Sequence, residues 1–147
     1  MPIPQVSVFL DNHPGSLSEV MSLLEGSQIR IFALSIADAG EFGLIRMITE
    51  NPEKSSKILE AAEFNLAKSR KNTEVIAIQI MDEAKISKIT KILGDNGLNI
   101  EYAYSSAVHV AGSIALIVRI TDLERAEATL KANNIPTMSL SEIKEYF

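Results

Sequence analysis

Residues 26–35, GSQIRIFALS, and residues 95–104, DNGLNIEYAY, carry one pattern at an offset of 69: Ile29 falls on Leu98 and Ile31 on Ile100. Further along, residues 50–64, ENPEKSSKILEAAEF, match residues 121–135, TDLERAEATLKANNI, at an offset of 71. There Glu53 falls on Glu124, Leu59 on Leu130 and Phe64 on Ile135. Upstream, Asp11 and Asp82 each close a run of strand character, again 71 apart. Few letters are shared. What repeats is the order of patterns, and a repeated order marks two copies of one structural unit.

Each copy reads strand, helix, strand, strand, helix, strand. In the first, residues 5–10 alternate with period two through Val6, Val8 and Leu10. Leu17, Val20, Met21 and Leu24 then recur at helical spacing and form one apolar face, which Gly26 is expected to end as a C-terminal glycine. Residues 29–36 and 44–49 are β-rich runs on either side of the turn DAGEFG. Asn51 and Pro52 open a second helix, with proline in its first turn, and residues 64–69 close the unit. In the second copy the strands are expected at 74–81, 99–106, 113–120 and 135–138, with Gly112 at the hairpin. Helices are expected from Ile86, Ile89, Ile92 and Leu93, which share a face, and over 121–132. A last helix, 141–146, is opened by a capping box of Ser139 with Glu142.

Each crossover between parallel strands is right-handed, so both helices of a unit fall on one face of an antiparallel four-stranded sheet. The expected class is therefore α+β: two tandem ferredoxin-like (βαββαβ) domains, 1–70 and 71–147, the second with the C-terminal helix. The polar run Lys68, Ser69, Arg70, Lys71 and Asn72 is the expected linker.

The composition excludes several functions such a fold can serve. Of 147 residues, 46% are apolar and 22% charged, which is enough to build a core without staples. A formal charge of -5 and the scarcity of aromatics, five Phe and three Tyr, argue against a nucleic-acid partner. There is no cysteine for a disulfide or a copper carrier, and the two histidines stand far apart, so no metal or other cofactor is expected. No acid–base pair beside a nucleophile and no phosphate-binding glycine loop is visible, so the chain reads as a non-enzyme. No run approaches the ~20 apolar residues that span a bilayer, and the start MPIPQ lacks the features of a secretory signal. A cytoplasmic protein without a membrane partner is expected.

One stretch exceeds the needs of a turn: DNHPGSL, from Asp11 through Asn12, His13, Pro14, Gly15 and Ser16 to Leu17, between the first strand and the first helix. A helix N-terminus offers unpaired N–H groups and about half a positive charge to a carboxylate or phosphate. Gly15 has no Cβ to obstruct a ligand. Pro14 has no N–H to leave orphaned, and Asp11 supplies an acceptor for a cation. Donors beside a fixed carboxylate suit a zwitterion such as a free amino acid. The same letters also fit an ordinary turn followed by a capping box of Ser16 with Glu19.

VSVFLDNHPGSLSEVMSLLEGSQIRIFALSIAD resembles the start of an ACT domain, whose signature is a strand, D-x-x-P-G-x-L, a helix and a second strand. Through FGLIRMITENPEKSSKILEAAEF and GLNIEYAYSS, the chain resembles tandem-ACT proteins that have two such domains and no catalytic one. The resemblance implies a regulatory protein that senses a free amino acid, homodimerises, and serves an amino-acid biosynthetic enzyme. An alternative is an interaction subunit of such an enzyme with a vestigial site. It also implies a ligand held between the loop Asp11, Asn12, His13, Pro14, Gly15, Ser16 and Leu17 and the second strand of a neighbouring domain. That strand is represented by Asn99, Ile100, Tyr102 and Tyr104, or by Arg30, Ile31 and Ala33. Against this, Ile31 and Ile100 also suit a core, Tyr102 and Tyr104 a packed sheet face, and Arg30 a surface ion pair. Unit two departs from the signature: MDEAKI replaces the loop, two residues shorter and without the Pro-Gly, so one competent loop per chain is expected.

Overall fold

The structure, a computed structural model, describes residues 2–82, 84–107 and 112–146. Of the two histidines, His109 lies outside the described residues. The chain divides into two compact units: an N-terminal unit, Pro4–Thr73, and a C-terminal unit that runs from Glu74 onward and includes Ile3.

The elements in order are β1 (Ile3–Pro4), β2 (Val6–Asp11), α1 (Ser16–Gly26), β3 (Ile31–Ala39), β4 (Phe42–Thr49), α2 (Pro52–Ala61), β5 (Asn65–Leu66) and α3 (Arg70–Thr73). They continue with β6 (Glu74–Ile80), α4 (Ala84–Asp95), β7 (Ile100–Ser105), β8 (Ile114–Ile120), α5 (Leu123–Ala132), β9 (Thr137–Met138) and α6 (Leu140–Tyr146). The N-terminal unit is a four-stranded antiparallel sheet in the order β3-β4-β2-β5. The alternation read in the sequence sets its register: Val6 pairs with Met47 and Val8 with Ile45, and all four bury against Val20 and Leu24 of α1 and Leu59 of α2. In the C-terminal unit the order is β1-β6-β8-β7, with β9 also on β6. Ile76, Ile78, Val118 and Ile120 pack there against Ile89, Leu93, Leu123 and Leu130.

The C-terminal sheet thus has five strands where four were expected, because β1 joins the edge of β6. The run read as a linker is structured too. It contains α3, and the Asn72 carbonyl accepts from the buried Ser7 Oγ at 2.6 Å and from Gln5 Nε2 at 3.0 Å. Gln5 Nε2 also donates to Ser7 Oγ at 3.3 Å, so the two side chains and the Asn72 carbonyl form one small network that ties this segment to β2.

The repeat holds at the level of single backbone angles. Helices α1, α2, α4 and α5 are each followed by one left-handed residue: Gln28 (φ 60), Glu63 (φ 68), Gly97 (φ 70) and Asn134 (φ 56). In each case the next residue's N–H returns to the helix: Ile29 to Leu24 O at 3.0 Å, Phe64 to Leu59 O at 3.0 Å, Leu98 to Leu93 O at 2.9 Å and Ile135 to Leu130 O at 2.9 Å. This closure occupies orphan carbonyls and turns an apolar residue onto the core. Gly26 is therefore not the stop that the sequence suggested; it is the last helical residue, and Gln28 makes the turn. The second helix of each unit also starts alike: Asn51 Oδ1 accepts from Lys54 N–H at 3.0 Å and, 71 residues on, Asp122 Oδ1 accepts from Arg125 N–H at 3.1 Å. The capping box at α6 forms as read, with Ser139 N–H on Glu142 Oε1 at 3.1 Å and Glu142 N–H on Ser139 Oγ at 3.2 Å.

A side chain at positive φ carries strain that glycine avoids, partly offset by the greater freedom of glycine in the unfolded chain. Gln28→Gly is accordingly expected to stabilise the protein by about 0.5 kcal/mol, read as a higher denaturant midpoint by circular dichroism. A lower midpoint would show that Gln28 contributes through its side chain.

Candidate functional site

β2 ends at Asp11, and the chain turns at once: His13 N–H donates to Asp11 O at 2.9 Å and Ser16 N–H to His13 O at 3.3 Å. Gly15 is the N-cap of α1, at φ 91 and ψ -12, and no side chain caps the helix. The capping box of Ser16 with Glu19 therefore does not form, since Ser16 is already inside the helix and buried. Its hydroxyl instead lies 3.1 Å from His13 Nδ1, and His13 Nε2 is 3.9 Å from Asp11 Oδ2. The first intrahelical bond is Glu19 N–H to Gly15 O at 3.1 Å. The first-turn amides of Leu17 and Ser18 precede that bond, where a helix has no internal partner to offer.

Asp11, Asn12, His13, Pro14 and Gly15 are exposed, whereas the Leu17 side chain packs on the core. A Cβ built on Gly15 would meet nothing within 4 Å. The glycine is thus required by its left-handed backbone, and the space before it is open.

That space is a groove of about 540 Å³. Gly15, Ser18, Glu19, Ser22 and Leu23 form one wall, and Ala62 and Phe64 the other. A smaller cleft of about 270 Å³ shares Glu19, Ala62 and Phe64 and adds Phe9, Asp11, His13, Ser16, Glu63 and Asn65. Among the described residues the two cavities together are lined by the carboxylates of Asp11, Glu19 and Glu63 and by no lysine or arginine. They bring the start of α1, through Gly15 and Ser18, and the apolar surface of Leu23 and Phe64 beside acceptors for an ammonium group.

Residues 62–65 escaped the sequence reading. They reach the loop because β5 pairs antiparallel with β2, Asn65 beside Phe9, which sets the start of β5 at the end of β2. The signal lay in the fold itself: a βαββαβ unit returns its last strand alongside its first.

Within its own unit Ile31 does not reach the loop. Asp11 lies beside Phe42 and Phe42 beside Ala39, whereas Ile31 pairs with Thr49, seven residues along β4. At ~3.3 Å per residue that is about 23 Å. Ile31 packs on the core of its unit, as Ile100 does in the other. Arg30 is held by Glu50, its N–H 2.7 Å from Oε1 and its Nε 3.7 Å from Oε2, and Ala33 is buried. Tyr102 and Tyr104 pair with Arg119 and Ile117, on the sheet face opposite the helices of the C-terminal unit; both are half-buried, and Asn99 is exposed just before β7.

The second copy of the loop differs in charge and room. Lys85 and Lys88 stand where the first repeat has Ser16 and Glu19, and Asn134 where it has Glu63. With Gln79, Ile89, Asn133, Ile135 and Pro136 they enclose about 60 Å³. Among the described residues no group of three or more metal-ligating side chains is found, and no helix is long and apolar enough to cross a membrane.

The model of the ACT domain pair matches residues 1–145. The chain belongs to the ACT domain pair family. Its fold is a regulatory one rather than a catalytic one. A solved protein of Bacteroides thetaiotaomicron is 27% identical, with a TM-score of 0.86 over 97% of this chain and 96% of that one. The regulatory subunit of aspartate kinase from Thermus thermophilus, 19% identical, has a TM-score of 0.58 over 89% and 90% of the two chains, and so shares the fold. Among curated proteins none matches.

Proposed function

We propose that this ACT domain pair is a regulatory module that senses a free amino acid at the loop of residues 11–17. The supporting observation is the coincidence, at one place, of an uncapped helix start, a left-handed Gly15 facing open space, and a groove lined by carboxylates and Phe64. The amides of Gly15, Leu17 and Ser18 would take the ligand carboxylate, and Asp11, Glu19 or Glu63 its ammonium. In the family reading a neighbouring domain supplies the other wall, with Asn99, Ile100, Tyr102 and Tyr104 or a second copy's Ile31 as candidates in a homodimer. The domains 1–70 and 71–147 would then hold different offices, since the hollow beside Lys85 and Lys88, at the second domain's counterpart of the loop, is only about 60 Å³. Binding favours one domain arrangement over another, and a biosynthetic enzyme in the cytoplasm reads the change.

Thermal unfolding of the protein with each of the twenty amino acids tests this. A ligand at ~100 times its Kd adds about 2.7 kcal/mol, which is a rise of several degrees in Tm for a chain of this size. One amino acid, or a few of related shape, is expected to give it. No rise with any of them would leave the runner-up reading, a subunit that holds or tunes an enzyme without a small ligand.

A further inference from the structure

Asn96 is the only asparagine in the chain that glycine follows. An asparagine side-chain amide can be attacked by the backbone nitrogen of the next residue. Glycine, without a Cβ, leaves that nitrogen open to approach. The pair stands just after α4, and both residues are exposed to water.

Three bonds hold the pair away from that reaction. Asn96 Nδ2 donates to Ile92 O at 2.8 Å, which draws the side-chain amide back over the last turn of α4. Gly97 N–H donates to Gly94 O at 3.0 Å, so the nitrogen is engaged. Arg125 Nη2, from α5, donates to Asn96 O at 2.7 Å and so fixes the peptide between the two reacting groups.

The C-terminal unit contains the same turn a second time. At the end of α5, Asn133 Nδ2 donates to Thr129 O at 2.8 Å. Asn134 then takes the left-handed angle, φ 56, that Gly97 takes after Asn96 at φ 70. There the following residue has a side chain. The two turns thus differ at the position that governs the attack, and Asn133 is the control for Asn96.

We propose that Asn96 is a site of slow covalent modification, controlled by opening of the turn between α4 and β7. In the open turn the Gly97 nitrogen bonds to Asn96 Cγ while its proton passes, by way of water, to Nδ2. The Cγ–Nδ2 bond breaks and ammonia leaves. Water then adds to the cyclic imide. Breaking the bond from Gly97 N to Cγ yields aspartate. Breaking the bond from Gly97 N to the Asn96 carbonyl carbon yields isoaspartate, with one more carbon in the backbone. Water is the sole co-reactant and nothing is oxidised or reduced.

Either product weakens the turn. Each puts a negative charge where Nδ2 had donated, at the carboxyl end of a helix, which disfavours it. Isoaspartate also lengthens the path to Leu98, which is 5% exposed and whose N–H closes the helix on Leu93 O at 2.9 Å. The modification therefore marks and loosens the C-terminal unit, and it does not depend on the ligand reading above.

Peptide mass spectrometry that follows each asparagine, during incubation of the folded protein at mildly alkaline pH, tests this. Asn96 is expected to convert first, with Asn133 still an amide. Arg125→Ala releases the Asn96 carbonyl and is expected to convert about fivefold faster. That factor is the equivalent of ~1 kcal/mol, a typical net value for one hydrogen bond, and it acts through the population of the open turn. Gly97→Ala is expected to keep Asn96 as an amide. This variant should fold, since Gln28, Glu63 and Asn134 hold side chains at the same left-handed position and a Cβ on Gly97 meets nothing within 4 Å. Circular dichroism checks that both variants are folded. Conversion that begins at another asparagine overturns the proposal, as does a parent rate in Arg125→Ala or in Gly97→Ala. So does a parent protein whose Asn96 is still an amide when its urea-unfolded form has converted.

Discussion

Gly15→Val is expected to weaken amino-acid binding by about 100-fold or more. The reason lies in the backbone and not in crowding. A Cβ at residue 15 would touch nothing within 4 Å, but the residue sits at φ 91. A β-branched residue in that region is a genuine outlier, and holding it there costs about 1–3 kcal/mol. The loop would relieve the strain by moving, at the expense of the bonds from His13 N–H to Asp11 O and from Ser16 N–H to His13 O that aim the first turn of α1. A ligand carboxylate held by two of those amides makes charge-assisted bonds of ~1.5–3 kcal/mol each. Losing both costs at least 3 kcal/mol, more than the 2.7 kcal/mol of a hundredfold change. Titration calorimetry with the amino acid that raises Tm gives the number directly. Gly15→Ala should lose less, since alanine tolerates left-handed backbone better than valine does. Unchanged affinity in Gly15→Val would move the site away from this loop.

That loop was legible because its signals are local: a strand pattern, a Pro-Gly turn and a helix face lie within a dozen residues. The caps at Asn51 and at Ser139 with Glu142 were legible for the same reason, since cap chemistry spans three residues. The identical reasoning failed at Ser16 with Glu19, because Pro14 and Gly15 had already made the turn and carried Ser16 into the helix. The left-handed turns at Gln28, Glu63 and Asn134 were not legible. None is glycine, and each is imposed by the next residue, Ile29, Phe64 or Ile135, folding back onto its helix. The far wall of the groove, residues 62–65, stayed hidden because β2 and β5 meet only after 55 intervening residues have folded. Periodicity identifies elements; it does not say which of their ends come together.

The same limit hid β1, and Ile3→Ala is the variant that measures what was missed. Two residues are too few to show alternation, and Pro2 and Pro4 flank the isoleucine, which argues against a strand anywhere but an edge. An edge is where β1 lies, on β6, a strand that starts about 70 residues later. Ile3 is 2% exposed and belongs to the C-terminal unit. Truncating a buried isoleucine to alanine removes its transfer energy and leaves a cavity, about 2–4 kcal/mol. For a unit of this size the cost is expected to lower Tm by about 10–20 °C. The readout is selective: there is no tryptophan, and all three tyrosines, Tyr102, Tyr104 and Tyr146, follow Glu74 in the chain. Tyrosine fluorescence therefore follows the C-terminal unit, while the altered residue stands at the opposite end of the sequence. A large fall in that transition means that the N-terminal residues are structural members of the second ACT domain, so a truncation or tag at residue 1 perturbs the domain farthest from it in sequence. A change below ~0.5 kcal/mol, the usual range for a surface substitution, would mean that β1 adds backbone pairing to β6 without anchoring it.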